Sequence, residues 1–469
     1  MNEWQTLTLA DVCTVITDGA HQSPKTVSRG KPMASVKDLT RFGVDLTSAR
    51  HIATEDFEAL VKQGCKPHVG DVLIAKDGNS ALDTVCTVDH PLDAVLLSSV
   101  AILRPDPKCL DSVFLKFYLS SPETIDYLKS NFISGAAIPR VVLRDFKRAE
   151  IRLPSLDVQR RIAGVLQSID SKIDLNRRVN QTLEAMAQAI FQSWFVEFDP
   201  VKAKIAAKQE GRDPLRAAMT AVSGKADAEL DALPPEQYEQ LAATAALFPG
   251  EMEASELGEI PKGWSHKALL QLTDKIGSGS TPRGGKEVYL EEGVALIRSQ
   301  SVYDSLFAWD GLARISDEAA AQLKGVTVQE EDVLLNITGA SILRTCVVEP
   351  DVLPARVNQH VAIIRAKAGV PPRFIHMHLL RPDIKNYLLG LNAGASREAI
   401  TKAHIESLVL LTPGPELLSA FQTAISPLFR QVHCLTRQMR ALGELRDTLL
   451  PKLLSGELLV ADAIAEAVA

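Results

Sequence analysis

The sequence predicts a mixed α/β chain made of two globules in tandem. Each globule is followed by a long helix, and the two helices pair as an antiparallel coiled coil. Three observations predict this: an internal repeat at a nearly constant offset, one change of hydrophobic period inside each copy, and a narrow apolar seam through the back of each copy.

Five blocks carry the repeat. WQTLTLADVCTVITDG opens at Trp4 and WSHKALLQLTDKIGSG at Trp264, an offset of 260. DVLIAKDGNSAL from Asp71 meets DVLLNITGASIL from Asp332 at 261, and SVAILRP from Ser99 meets HVAIIRA from His360 at the same offset, which aligns Arg104 with Arg365. FLKFYLSSPETIDYL from Phe114 meets FIHMHLLRPDIKNYL from Phe374 at 260, and Leu153-Pro154 meets Thr412-Pro413 at 259. Chance does not hold an offset that steady. The chain is a tandem duplication with extra material between the copies.

Residues 1–153 and 257–412 form the two globules. Short apolar runs (72–75 and 98–103; 333–336 and 361–365) alternate with Gly, Pro and Asp turns, as strands do, and helices are expected near 111–130 and 372–390. Residues 154–198 and 413–469 then read as helical throughout. In the first, apolar positions step by threes and fours from Val158 to Trp194, with Asn176 and Asn180 on the same line; in the second they run from Leu417 to Leu453. So narrow a seam, far longer than the usual helix of about 11–12 residues, belongs to a coiled coil. From Val158 to Trp194 such a helix spans about 55 Å at roughly 1.5 Å per residue, on the order of 16 base-pair steps. Residues 199–256, rich in Ala and acidic side chains, read as a partly helical connector on the surface.

Composition narrows the function. The formal net charge is −7, which excludes a uniformly basic coat and leaves room for a local basic face. The six cysteines lie far apart with no C-x-x-C pair, so a disulfide framework and a zinc ribbon are not expected. With a polar, acidic start after Met1, a reducing cytoplasm is the expected compartment, and the sequons at Asn180 and Asn336 are chance matches. No apolar run reaches the ~18 residues of a membrane span.

No catalytic constellation is visible. GSGSTPRGG from Gly277 places Pro282 where a dinucleotide-binding turn needs its third glycine, and no Walker lysine follows. Neither LPPEQ nor VPPRF supplies the Asn/Asp-Pro-Pro-aromatic loop of an amino-methyltransferase. His376 and His378 stand two apart on a predicted helix and so face different sides, which disfavours a shared metal. No metal site and no cofactor site are expected in this chain.

Polar loops recur instead. The first copy offers His21, Gln22, Ser23 and Lys25, then Lys76, Asn79 and Ser80, then Arg140 and Arg144. The second offers Ser280, Thr281, Arg283 and Lys286; Arg298 and Gln300; Asn336, Thr338 and Ser341; Asn358, Gln359 and His360; and Ser396, Arg397 and Lys402. Arg and Lys match guanine edges, Asn and Gln match adenine edges, and hydroxyls with backbone amides suit phosphate. Any one of these residues alone is more simply a turn residue. Between Arg140 and Arg178 ten basic residues face five acidic ones, the local balance a phosphate-following stripe needs. For the part beyond Lys172 a solvated helix face accounts for the charges equally well.

The order of parts resembles the specificity subunit of a type I restriction–modification system. The resemblance rests on ELGEIPKGW from Glu256, ITKAHIESLVLLTP from Ile400, FQSWFVEFDPVKAK from Phe191 and LLPKLLSGEL from Leu449, and extends over essentially the whole chain. It implies two target-recognition domains, each reading half of a bipartite double-stranded DNA site, with the coiled coil as spacer. It also implies two methylation subunits bringing S-adenosylmethionine and adenine chemistry, and a restriction/translocase subunit. The chain itself would be non-catalytic and cytoplasmic. The stretch around residues 206–246 is longer and richer in Ala than the resemblance requires. A self-contained DNA methyltransferase and a coiled-coil adaptor without DNA binding are the alternatives.

A chain without chemistry of its own must hold an enzyme subunit. Phe191, Trp194, Phe195 and Phe198 at one helix end, and Leu450, Leu453 and Leu454 at the other, are the candidate docking residues. The competing reading is that they close the end of the coiled coil.

Overall fold

The structure is a computed structural model, and it describes residues 4–78, 81–133, 139–256, 258–391 and 399–460. The chain divides into two compact units, Met1–Asn180 with Cys434–Ala469, and Gln181–His433. The mixed α/β reading is borne out in both.

In the first unit the fully buried run Val72–Ala75 lies inside a four-stranded antiparallel sheet, in the order Cys13–Asp18, Val100–Pro105, Val72–Ala75, Val85–Thr87. A strand with no polar position along it must be covered on both faces. A second sheet runs Arg50–Ile52, Lys31–Ala34, Val95–Leu96, its last pairing parallel. Gln5–Thr8 pairs antiparallel with Glu150–Leu153, which ties the two ends of the globule together.

The second unit repeats this plan. Its four-stranded sheet runs Thr273–Ser278, Val361–Ala366, Val333–Asn336, Thr345–Val347. Its other sheet runs Tyr289–Leu290, Ala313–Ile315, Val294–Ile297, Ala355–Val357, and Ser265–Ala268 closes on Val409–Thr412. The sequence offset of about 260 is therefore a repeat of topology.

Three devices hold the same framework in each copy. Arg104 donates two hydrogen bonds to the buried Asp71 carboxylate at 2.7 and 2.8 Å, and Arg365 does the same to Asp332 at 2.8 and 2.8 Å. The aligned arginines thus neutralise a buried charge with a planar fork. Gly19 and Gly279 follow the first sheet strand where a Cβ would collide with the carbonyl oxygen of Leu96 or Val357, so only glycine lets the backbones meet. Leu82 and Leu343 adopt φ of +71° and +65°, a left-handed turn held by their buried side chains.

The helices expected near 111–130 and 372–390 are each split. Ser112–Leu119 is followed by Pro122–Phe132, and Pro372–Leu380 by Pro382–Gly390. Pro122 and Pro382 cannot continue a helix and favour extended backbone before them, so each starts a new one.

The long helices span Leu156–Phe195 and Pro415–Ser455. Within the first unit they run antiparallel: Asp170 meets Arg446, Asn176 Nδ2 donates to Gln438 Oε1 at 2.8 Å, and Asn180 Nδ2 donates to Thr436 Oγ1 at 3.1 Å. Polar pairs at seam positions fix register at some cost in stability. Both asparagines are buried by these contacts. Asp170, only 1 % exposed, is surrounded by Lys116 Nζ at 2.8 Å, Arg446 Nη1 at 3.1 Å and Arg41 Nη2 at 3.6 Å.

The material between the copies is helical, mostly exposed, and has a small core of its own. Helices Asp199–Gln209, Pro214–Ser223, Asp227–Leu230 and Pro235–Ala246 pack around Ala218, Met219, Leu230 and Ala245. Two of the stretch's many alanines, Ala218 and Ala245, are fully buried in that core. Asp213 caps the second helix by accepting from Leu215 and Arg216 backbone N–H groups.

Candidate nucleic-acid interface

In the first unit the loop residues after the sheet strands form a charged cluster. Lys76 lies at the end of Val72–Ala75, where the chain leaves the sheet, and is only 5 % exposed. Its ammonium sits 3.3 Å from Asp18 Oδ2 and 3.4 Å from Asp77 Oδ1. His21 Nε2 approaches Asp18 Oδ1 at 3.1 Å, and Arg140 Nε donates to Asp77 Oδ1 at 3.2 Å. Lys76 is therefore a buried strut, and its reading as a DNA contact is corrected. Burial costs an ammonium too much to leave it without carboxylates, and those carboxylates consume its charge.

His21, Gln22, Ser23, Lys25, Arg140 and Arg144 remain exposed on this rim. Arg144 stands 3.8 Å from Asp145 Oδ1, with Lys147, Arg148 and Arg152 exposed nearby in the sequence. Further along, Arg161 pairs with Asp157 at 2.8 Å, and Arg177 and Arg178 share Asp174 at 2.8 and 3.1 Å. That part of the stripe is half neutralised along its own helix. Asn79 and Ser80 lie outside the described residues.

The second unit brings its candidates together more completely. Gln300, Tyr303, Thr338, Ser341, Arg344 and His360 line an open groove of about 390 Å³. Thr281 Oγ1 donates to Gln359 Oε1 at 2.8 Å, and Gln359 Nε2 lies 3.0 Å from His360 Nε2. An amide N–H can only donate, so His360 Nε2 accepts and the ring proton sits on Nδ1. Nδ1 lies 2.6 Å from Thr338 Oγ1, to which it donates. The Thr338 hydroxyl proton is thereby left for another acceptor. Asn358 Oδ1 accepts the His360 backbone N–H at 3.0 Å, which pins the loop.

Two candidates are corrected here. Asn336 is fully buried, and its Nδ2 donates to Ser299 O at 2.9 Å and Ser341 Oγ at 3.2 Å, so it braces the loops instead of facing DNA. Asn358 is likewise buried and serves the His360 backbone. Arg298 is half-buried, with Nη2 donating to Gly311 O at 2.9 Å. Ser280, Thr281 and Arg283 are exposed on the rim, and Lys402 is exposed with Nζ 3.4 Å from Glu406 Oε1. Ser396, Arg397 and the side chain of Lys286 lie outside the described residues. Arg344 and Tyr303 do not stand out in the sequence; the one signal is that Arg344 directly follows the repeated block ending at Leu343.

The docking candidates are also corrected. Phe191, Trp194 and Phe195 are buried in the second unit among Phe248, Trp264, Phe374 and Phe421, with ring centroids 4.9–6.2 Å apart. Phe198 is half-buried against Trp264. Leu450, Leu453 and Leu454 are buried in the first unit's core. Apolar side chains too numerous for one seam are covered by the globules, so they are not an open face.

His376 and His378, buried in the second unit, carry no site: burial holds both at a pKa of about 3, so both are neutral. Among the described residues no cluster of His, Cys, Asp and Glu could hold a metal ion, and no helix is long and apolar enough to cross a membrane.

Comparison with known proteins agrees with this arrangement. A family described as the type I restriction modification DNA specificity domain matches residues 1–185. The type I restriction enzyme HindI specificity subunit of Haemophilus influenzae is 30 % identical over 390 residues, covering 79 % of this chain and 83 % of that protein. The MjaIX specificity subunit of Methanocaldococcus jannaschii is 24 % identical over 347 residues, covering 73 % of this chain and 68 % of that protein. A crystal structure of a type I restriction–modification S subunit from M. genitalium shares the fold, with a TM-score of 0.51, 15 % identity and 96 % coverage of both chains. The chain belongs to the family of type I restriction enzyme specificity subunits.

Proposed function

We propose that this chain is the sequence-reading subunit of a type I restriction–modification complex, each globule reading one half of a bipartite double-stranded DNA site. The observation that carries the reading is the duplicated rim. The same sheet, glycine approach and left-handed turn present polar loops in each unit, while the side chains on those loops differ. A rigid scaffold with variable polar loops is what base-edge recognition uses. Two readers on one chain raise each other's effective concentration on a site that offers both halves.

The chain is non-catalytic in this role. Two methylation subunits carrying S-adenosylmethionine are proposed to modify adenine, with a restriction/translocase subunit joining for cleavage. The long helices, 40 and 41 residues and thus about 60 Å each, are proposed to set the unread gap. The exposed basic residues from Arg140 onward are proposed to follow phosphates, a contact that weakens with salt.

The test is a methylation map of a host carrying the intact system. Exchanging residues 1–153 for the equivalent part of a relative should change one half of the methylated motif and leave the other half and the gap alone. If both halves change, or neither does, the modular reading is wrong.

A further inference from the structure

We propose that Arg344, stacked on Tyr303, reads a guanine for the second unit; this rests on the DNA-reading role proposed above. The guanidinium lies over the Tyr303 ring, 4.6 Å from its centroid, inside the groove. Among the described residues it donates to no hydrogen-bond acceptor. Other arginines of the unit hold protein acceptors: Arg298 donates to Gly311 O at 2.9 Å, Arg314 to Gly293 O at 3.0 Å, Arg356 to Ala320 O at 3.0 Å, and Arg365 to Asp332. Arg344 is held in place with its donor fork unused by any described residue.

Its backbone is fixed as well. The buried Leu343 before it turns at φ +65° and donates its N–H to Asn336 O at 2.7 Å, while Arg344 O accepts from Asn336 N–H at 2.9 Å. Stacking restrains a long side chain without consuming its hydrogen bonds, so less entropy is lost when the fork engages a ligand.

The surroundings select a base over a phosphate. Gln300, Thr338 and Ser341 supply both donors and acceptors to the same groove, whereas a phosphate oxygen needs donors only. An arginine fork matches O6 and N7 of guanine in the major groove.

The first unit makes the contrast. There the residue after the left-handed Leu82 is Asp83, paired with Lys129 Nζ at 2.9 Å. The turn is kept and the chemistry inverted, as two readers of different half-sites require. The framework pairs Asp71–Arg104 and Asp332–Arg365 show no such change.

The test selects duplexes from a randomised library with the full chain assembled with its methylation subunit. Wild type should enrich a bipartite motif with a guanine in one half-site. Arg344→Ala should lower that guanine preference at least tenfold, equivalent to about 1.4 kcal/mol, and leave every other position unchanged. Arg344→Lys keeps the charge, so it should keep wild-type affinity for random duplex and its salt dependence while losing part of the guanine preference. Retention of the full guanine preference in Arg344→Ala overturns the inference. So does an equal loss over all sequences with a shallower salt slope, the mark of a phosphate contact. A wild-type chain that enriches no motif overturns the DNA-reading role itself, and the inference with it.

Discussion

Trp194→Ala combined with Phe195→Ala is expected to unfold the core of the second unit. Each side chain is fully enclosed, and removing a buried Trp or Phe typically costs about 3–5 kcal/mol. Trp194 packs edge-on against Phe248 at 5.2 Å between ring centroids, and Phe195 against Phe421 at 4.9 Å. The two are neighbours, so their costs do not simply add. Even one is a large fraction of the roughly 5–15 kcal/mol that holds a domain folded. Hydrogen exchange followed separately on peptides from each unit is the measurement. Protection should be lost around Ala187 and Ile425 and kept at Val72–Ala75. A variant that stays protected but no longer binds the methylation subunit would restore these aromatics to a docking role.

Asp170→Ala is expected to cost the first unit about 3–5 kcal/mol, the usual penalty for breaking a buried ion pair from one side. It would strand Lys116 and Arg446, 3 % and 8 % exposed, without their shared carboxylate. Arg446 keeps the exposed Asp447 at 2.7 Å and is hurt less than Lys116. The same cluster sets a pH response. Burial alone would raise the Asp170 carboxyl, but Lys116, Arg41 and Arg446 outweigh it and hold it below the usual carboxylate range. A depressed folded pKa stabilises above the unfolded value of about 3.9, and that stabilisation is lost as pH falls through the folded pKa. Urea melts of the wild type at falling pH should therefore lose more stability below about pH 4 than melts of Asp170→Asn. Equal acid sensitivity in the two chains would remove Asp170 from the account.

Much of this was legible from residue order. The offset between Asp71 and Asp332 implied one framework used twice, because strands of four to six mostly apolar residues leave a clear mark. The seam through Asn176 and Asn180 implied two paired helices, since an apolar line so long and narrow needs a partner helix to cover it. What the sequence hid was coverage. Phe191 and Trp194 look like a surplus at a helix end until Phe248, Trp264 and Phe374, 54 to 183 residues away, close over them. Lys76 and Asn336 look like loop donors because nothing local announces Asp18 or the Ser299 carbonyl. Strands of two residues, such as Val302–Tyr303, are too short to show a period, so the Tyr303 platform under Arg344 was out of reach. Local chemistry named the loops; only long-range packing separated readers from struts.

The most direct measurement of the central claim is the DNA motif itself. The wild-type chain, assembled with its methylation subunit, is to select from a library of duplexes randomised over a stretch longer than either long helix. The account predicts two short specified half-sites separated by a fixed run of unspecified base pairs, with affinity that falls steeply as salt rises. One continuous motif, or enrichment of no motif at any salt concentration, would contradict it.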